Sequence, residues 1–289
     1  MDVDGGIRLQ LRIAAAELSA AVNRSIHVVA FGLSVASAES RAGGSVPGAQ
    51  VQLKAGPRIP RHVVRADFKR WIVAGGLRDC VAALDAALEA ARIEAFLWTR
   101  PGSVSRNPDG TLRLEARIKP EEWNRTIVAG RKRFNRLTLP EKMARLETDF
   151  GLRRPAFSPD VLSINAARNC MTHRGGVVAA EDCDQHQEFM TVGWRRLRMR
   201  PVGSRAEVTI GASFKEPTQL RIDYVRRSRK LGIGKRVTFT AGEYVEVATT
   251  FLFYGNQLQE SIRLLQEERM EAAEAVDHEP QPARDIARR

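Results

Sequence analysis

One short stretch of the chain combines a guanidinium, an amide and an imidazole: Arg168-Asn169-Cys170-Met171-Thr172-His173. Ahead of it, Ser158-Pro159-Asp160 supplies an N-cap, a proline at the first helical position and an acidic first turn. Behind it, Gly175-Gly176 offers a stop. The spacing therefore predicts a helix from Pro159 to Arg174. At about 100° per residue, Val161, Ile164, Ala167 and Met171 form its core face. Asn165, Thr172 and His173 fall within about 60° of Asn169 on the opposite side, and Arg168 sits at the border. Asn169 and His173 are an i,i+4 pair. An imidazole can give or take a proton near neutral pH. A guanidinium is always charged and presents a planar fork suited to phosphate oxygens. Together they can cleave a phosphodiester without a metal: Arg168 stabilises charge on phosphorus while His173 moves a proton at the attacking or leaving oxygen.

These residues resemble the signature of the HEPN domain family: an arginine, a polar residue, then a histidine a few positions on. An arginine followed by Asn, Asp or His, with a histidine at the fifth position, is expected only about 0.06 times by chance in this composition. The resemblance implies an all-helical bundle and a metal-independent ribonuclease of the toxin–antitoxin or defence type, with a possible antitoxin protein as partner. It also implies a homodimer in which Arg168 and His173 of each chain surround one shared cleft, with Asn169 positioning the histidine or the substrate. Arg174 and the glycines after it fit the family as a softer feature.

Other chemistry is poorly represented. His27 lies on an apolar helix and reads as structural, while His62, His186 and His278 have no partner pattern. Cys80, Cys170 and Cys183 are few and odd in number, as expected in a reducing compartment. Neither they nor the histidines show metal-ligand spacing, so no metal and no cofactor are expected. Gly232-Ile233-Gly234-Lys235 is too short for a phosphate loop and reads as a turn.

The elements that must position this helix come from a chain of 289 residues, 43% of them hydrophobic, which is ample for a sizeable core. No uninterrupted apolar run approaches about 18 residues, so no membrane span is expected. The acidic start, Met1 to Gly6, is unlike a signal peptide. A cytoplasmic protein is expected. The net charge is +12, but residues 188–236 hold 13 basic and 4 acidic groups, or +9 of it. That block contains alternating apolar and polar runs at Phe189–Val192, Trp194–Met199, Val208–Ile210 and Leu220–Val225, which read as strands. Arg195, Arg196, Arg198, Arg200, Arg226, Arg227, Arg229 and Lys230 lie in or beside them. Two readings stand for these cations: an RNA-binding surface, or a solvated face that guards the hairpin edges.

The rest reads as helical. Residues 7–38 carry Ile7, Leu11, Leu18, Val22, Val29 and Leu33 at helical intervals. Ala42 to Pro60 is a Gly/Pro-rich loop. Arg61 to Trp98 would span about 57 Å as one helix, with Gly75-Gly76 expected to divide or bend it. Pro101 to Lys119 reads as a loop that can hold a short hairpin. Helices follow from Pro120 to Leu137 and from Pro140. Thr240-Ala241-Gly242-Glu243 is a capping box that opens a long last helix.

The expected fold is therefore mainly α: a HEPN-like bundle over 1–187, a basic β-rich insertion over 188–239, a C-terminal helix over 240–275 and a disordered tail over 276–289. The expected function is a metal-independent endoribonuclease acting on RNA. Its alternative is a HEPN-like RNA- or protein-binding module that does not cut. A plainer role is also compatible with the residues, in which Arg168 and Asn169 are surface groups and His173 caps its helix end. A DNA-binding regulator lacks a helix-turn-helix signal.

Overall fold

The computed structural model describes residues 3–38, 61–99, 104–106, 112–114, 120–208, 213 and 216–277. The stretch from Ala42 to Pro60, the centre of the loop after Pro101, Thr209 and Ile210, and the tail from 278 onward lie outside the described residues. Among those described, six helices dominate: α1 (Val3–Ala38), α2 (Arg61–Thr99), α3 (Pro120–Phe134), α4 (Leu139–Phe150), α5 (Ser158–His173) and α6 (Ala241–Asp277). Two antiparallel hairpins complete the list: β1 (Val104–Arg106) with β2 (Leu112–Leu114), and β3 (Phe189–Pro201) with β4 (Leu220–Gly232). The molecule is mainly helical, as expected.

The chain divides into two compact units. One comprises residues 1–16, 85–155 and 255–289, and the other residues 17–84 and 156–254. The first unit buries Leu88, Ala91 and Leu97 of α2, Phe134 at the end of α3, Met143 and Leu146 of α4, and Leu258, Ile262 and Leu265 of α6. A buried lysine, Lys142, reaches both oxygens of Asp85 at 2.5 and 2.7 Å and lies over the Phe134 ring. A charge so deeply placed needs that carboxylate.

The second unit holds the motif helix. Leu18, Val22, Val29 and Leu33 of α1 recur four or seven residues apart and are all buried, which is the stripe that the sequence pattern demands. They share a core with Leu77, Cys80 and Leu84 of α2 and Tyr244, Val247 and Phe251 of α6. The Thr240 capping box forms as expected: Glu243 Oε2 accepts from the Thr240 N–H at 2.9 Å, and Thr240 Oγ1 accepts from the Glu243 N–H at 3.2 Å.

Several expectations need correction. Helix α2 runs unbroken through Gly75-Gly76. At Gly76 a Cβ would strike Tyr244 Oη, Ser25 Oγ and Val29 Cγ2, so this glycine permits close approach rather than a break. The strands expected at 189–192 and 194–199 are one strand, and β4 continues past Val225 to Gly232. Val208 makes only an isolated bridge to Met199. The turn at Gly232–Lys235 is present, with Gly234 at φ 78°. By length and composition, Ala14–Ala36 is apolar enough to cross a membrane, against the expectation of no such helix. Its apolar residues are interrupted at Glu17, at Asn23-Arg24-Ser25 and at His27, so no unbroken run gives it away. Its buried residues pack in the core described above.

Candidate functional site

Helix α5 begins one residue earlier than its N-cap sequence suggests. The Val161 N–H donates to the Phe157 carbonyl at 3.0 Å, which makes Phe157 the cap and Ser158 the first helical residue. The Phe157 ring meets Tyr224 of β4 and Phe253 of α6 at centroid distances of 5.4 and 6.3 Å, and this contact fixes the start of the helix. The core face is as expected: Val161, Ile164, Ala167 and Met171 are buried. At the other end, Gly175 and Gly176 have φ of 58° and 79°, the left-handed conformation that stops a helix and favours glycine.

The motif residues therefore sit on the last two turns of a helix anchored at both ends. Arg168 is half-buried, and its Nη1 donates to Asn169 Oδ1 at 2.8 Å. The neighbouring amide thus sets the plane of the guanidinium. Its Nε is enclosed and has no hydrogen-bond partner among the described residues. Leaving a buried donor unmade typically costs about 1–3 kcal/mol. Thr172 Oγ1 donates back to the Arg168 carbonyl at 2.8 Å. His173 is exposed in the last turn. Asn169 and His173 thus lie on the outer side of α5 with Arg168 at its border, His173 exposed and the other two half-buried.

Arg174 is placed differently. Its Nε donates to Asp182 Oδ2 at 2.7 Å, its Nη2 to Asp182 Oδ1, and Glu181 lies 3.7 Å from Nη1. Burial works to raise the Asp182 carboxyl, but the Arg174 hydrogen bonds and the Ala179 N–H outweigh it and hold the group below its ordinary value. Arg174 ties the end of α5 to the 3-10 turn Ala180–Asp182.

The hairpin cations are mostly engaged. Asp160, with a side chain 1% exposed, accepts from Arg195 Nε at 2.5 Å and from Arg226 Nε at 2.9 Å. Gly193 allows this approach, for a Cβ there would lie 2.8 Å from Asp160 Oδ1. The same glycine exchanges hydrogen bonds with Ser163, its N–H donating to Oγ at 2.8 Å and its carbonyl accepting at 3.2 Å. Arg198 and Arg200 converge on Asp223 at 3.4 and 2.6 Å. The Arg200 hydrogen bond is the largest influence holding the Asp223 carboxyl below its ordinary value. Arg196 Nη2 donates to Glu207 Oε2 at 2.5 Å, and Arg196 and Arg227 lie 3.7 and 3.8 Å from Glu246, which also accepts from Trp194 Nε1 at 2.8 Å. Arg229 donates to Glu243 and to the Thr238 carbonyl, and Lys230 lies over the Phe189 ring at 4.4 Å.

Sequence reading missed a neighbour of the motif on α2. Arg70 Nη1 donates to the Gly175 carbonyl at 3.2 Å, and Arg236 Nη1 reaches the same oxygen at 3.5 Å. A cleft of about 330 Å³ opens there, lined on α2 by Asp67, Arg70, Trp71 and Arg78 and on the motif side by Thr172 and Gly175. The i, i+3, i+4, i+7 and i+11 spacing of Asp67, Arg70, Trp71, Ala74 and Arg78 was the available signal.

The cysteines lack nucleophilic character. Burial pushes the Cys80 and Cys170 thiols up to about 11, with the Asp182 charge adding at Cys170. Among the described residues no group of three His, Cys, Asp or Glu side chains could hold a metal ion. His27, read as structural because it lies on an apolar helix, is exposed. Comparison with known protein families, with characterised proteins and with solved structures finds no match to this chain.

Proposed function

We propose that the chain is a HEPN-like, metal-independent endoribonuclease that works as a cytoplasmic homodimer, with Arg168, Asn169 and His173 of each copy at a shared cleft. The observation that carries this reading is the accessible face of α5, where an amide-oriented guanidinium and an exposed imidazole lie within two helical turns. The substrate 2′-hydroxyl attacks the adjacent phosphorus and the 5′-oxygen leaves. The products are a 2′,3′-cyclic phosphate and a free 5′-hydroxyl. His173 moves the proton at the attacking or leaving oxygen, and Arg168 stabilises the charge that grows on the phosphoryl oxygens. Asn169 holds the guanidinium through the 2.8 Å hydrogen bond. A toxin or defence role, with an antitoxin protein as partner, belongs to the same reading.

Purified protein is expected to degrade RNA in excess chelator and His173→Ala to abolish that activity. Undiminished cleavage by His173→Ala overturns the assignment. A binding module that does not cut is the second reading. It is favoured by the exposure of Arg226 and Arg227 on β4 despite their ion pairs. It predicts salt-dependent RNA binding, indifferent to His173 and without cleavage.

A further inference from the structure

The cleft between α2 and the end of α5 touches the motif stretch through Met171 and Thr172, while Arg168 and His173 are not among its lining residues. Trp71 is 71% exposed, an unusual position for the largest apolar side chain in a chain with ample core. It lines the cleft beside Thr172 and also a second cavity of about 240 Å³ on its other side, where Arg24 and Arg78 join it. Phe68 lies nearly parallel to the indole, with centroids 6.3 Å apart and 29° between planes, and so braces it. Arg78 is 64% exposed, and its nearest carboxylate, Asp79, is 3.8 Å away. Arg70, by contrast, is held by Asp67 and the Gly175 carbonyl, so it shapes the cleft without being free to follow a ligand.

An exposed aromatic plate with a loosely paired guanidinium two turns along the same helical face is the combination that binds unpaired nucleotides. The base stacks on the ring and the cation meets the phosphate. On α5, Thr172 lies between Arg168 and His173 in angle around the helix, so a ligand in the cleft is adjacent to the motif face. We infer that this cleft is a subsite for one nucleotide of single-stranded RNA, its base stacked on Trp71 and its phosphate held by Arg78, next to the bond that Arg168 and His173 act on. The inference rests on the ribonuclease reading for what lies beside the cleft. Stacking needs no particular base, so the subsite selects for unpaired RNA rather than for sequence. A protein partner would use the same exposed indole, but Arg78 in the cleft and Arg24 in the adjoining cavity favour a polyanion.

The test is binding of a fluorescein-labelled, single-stranded ten-nucleotide RNA, 2′-O-methylated to prevent cleavage, to the full chain. Trp71→Ala is expected to weaken binding about tenfold with an unchanged salt slope. Trp71→Phe is expected to retain most of the affinity. Arg78→Ala is expected to lower the slope of log affinity against log salt by about one. Because both side chains are exposed, the thermal midpoint is expected to stay at the parent value. Parental affinity in Trp71→Ala overturns the subsite. So does a Trp71→Ala protein that changes oligomeric state while each copy binds the RNA as before, because the indole would then serve a protein contact. Chelator-resistant cleavage by the parent separates the two readings. With cleavage present and Trp71→Ala binding unchanged, the subsite falls alone. With no cleavage but weakened Trp71→Ala binding, the ribonuclease falls and the nucleotide subsite stands.

Discussion

In the β3–β4 hairpin, Arg195 and Arg226 close on Asp160, Arg198 and Arg200 on Asp223, Arg196 on Glu207, Arg227 on Glu246, and Arg229 on Glu243. At the end of α5 and the facing stretch of α2 there are fewer charges. There, however, His173 is exposed, Arg168 contacts only a neutral amide among the side chains described, and Arg78 has a carboxylate only at 3.8 Å. The seven hairpin arginines outnumber the carboxylates that hold them, so each is pinned in place although a net positive charge remains. The region with the lesser charge keeps its groups available. Charge density along a sequence and charge on offer to a ligand are separate quantities, because a cation held by a carboxylate has its field partly offset and its side chain fixed, whereas an unpaired one can turn to a ligand.

This contrast can be broken from either side. The largest effect is expected at the motif. His173→Ala is expected to lower cleavage by about 10²- to 10⁴-fold, with stability within about 0.5 kcal/mol of the parent, since the side chain is exposed. Single-turnover cleavage and thermal denaturation on the same samples check both halves. At the hairpin the reverse is expected. Asp160→Ala leaves two arginines facing a vacated, enclosed position, and breaking such a group by removing one partner costs about 3–5 kcal/mol. Urea unfolding is expected to show that loss in its midpoint.

A finer comparison lies within β4. Arg226→Gln removes a 2.9 Å bond to the enclosed Asp160 carboxylate, and because the arginine is half-exposed the expected cost is about 1 kcal/mol. Arg227→Gln, beside it, loses only a 3.8 Å pairing and is expected to stay within about 0.5 kcal/mol. If the two variants unfold at the same urea concentration, the hairpin is not pinned through Asp160.

The smallest effect is with pH. The Asp182, Asp223 and Glu243 carboxyls all lie below their ordinary values: Arg174, Arg200 and Arg229 supply hydrogen bonds, and at Asp182 and Glu243 these and backbone N–H groups outweigh burial. Groups with depressed folded values stabilise fully above their unfolded values, near pH 4, and lose that contribution as pH falls through the folded ones. The thermal midpoint is therefore expected to be flat from pH 7 to about 5 and to fall below about pH 4. A decline beginning at pH 6 contradicts this account.

What was legible in the sequence was local. The helical interval of Leu18, Val22, Val29 and Leu33, the capping box at Thr240, the stop at Gly175-Gly176 and the polar stripe of α5 each depend on residues within a few positions of one another. What was hidden depended on distant residues. Gly76 looked like a breaker because its partners, Tyr244 and Ser25, are far away in the chain. Arg195 and Arg226 looked like a surface because Asp160, the group that holds them, reads locally only as first-turn acid. The exposure of Trp71 is likewise hidden, because exposure is not written in a helical pattern.

By itself, then, the sequence determined the mainly helical class, the motif helix and the order of its polar and apolar faces. These follow from backbone geometry and the period of about 3.6 residues per turn. Only the tertiary structure decided which cations are paired, which aromatic ring is left outside the core, and that α2 rather than the basic hairpin borders the cleft at the end of the motif helix. Pairing and exposure are properties of neighbours in space, and a side chain's neighbours are chosen by packing elements that lie many residues apart.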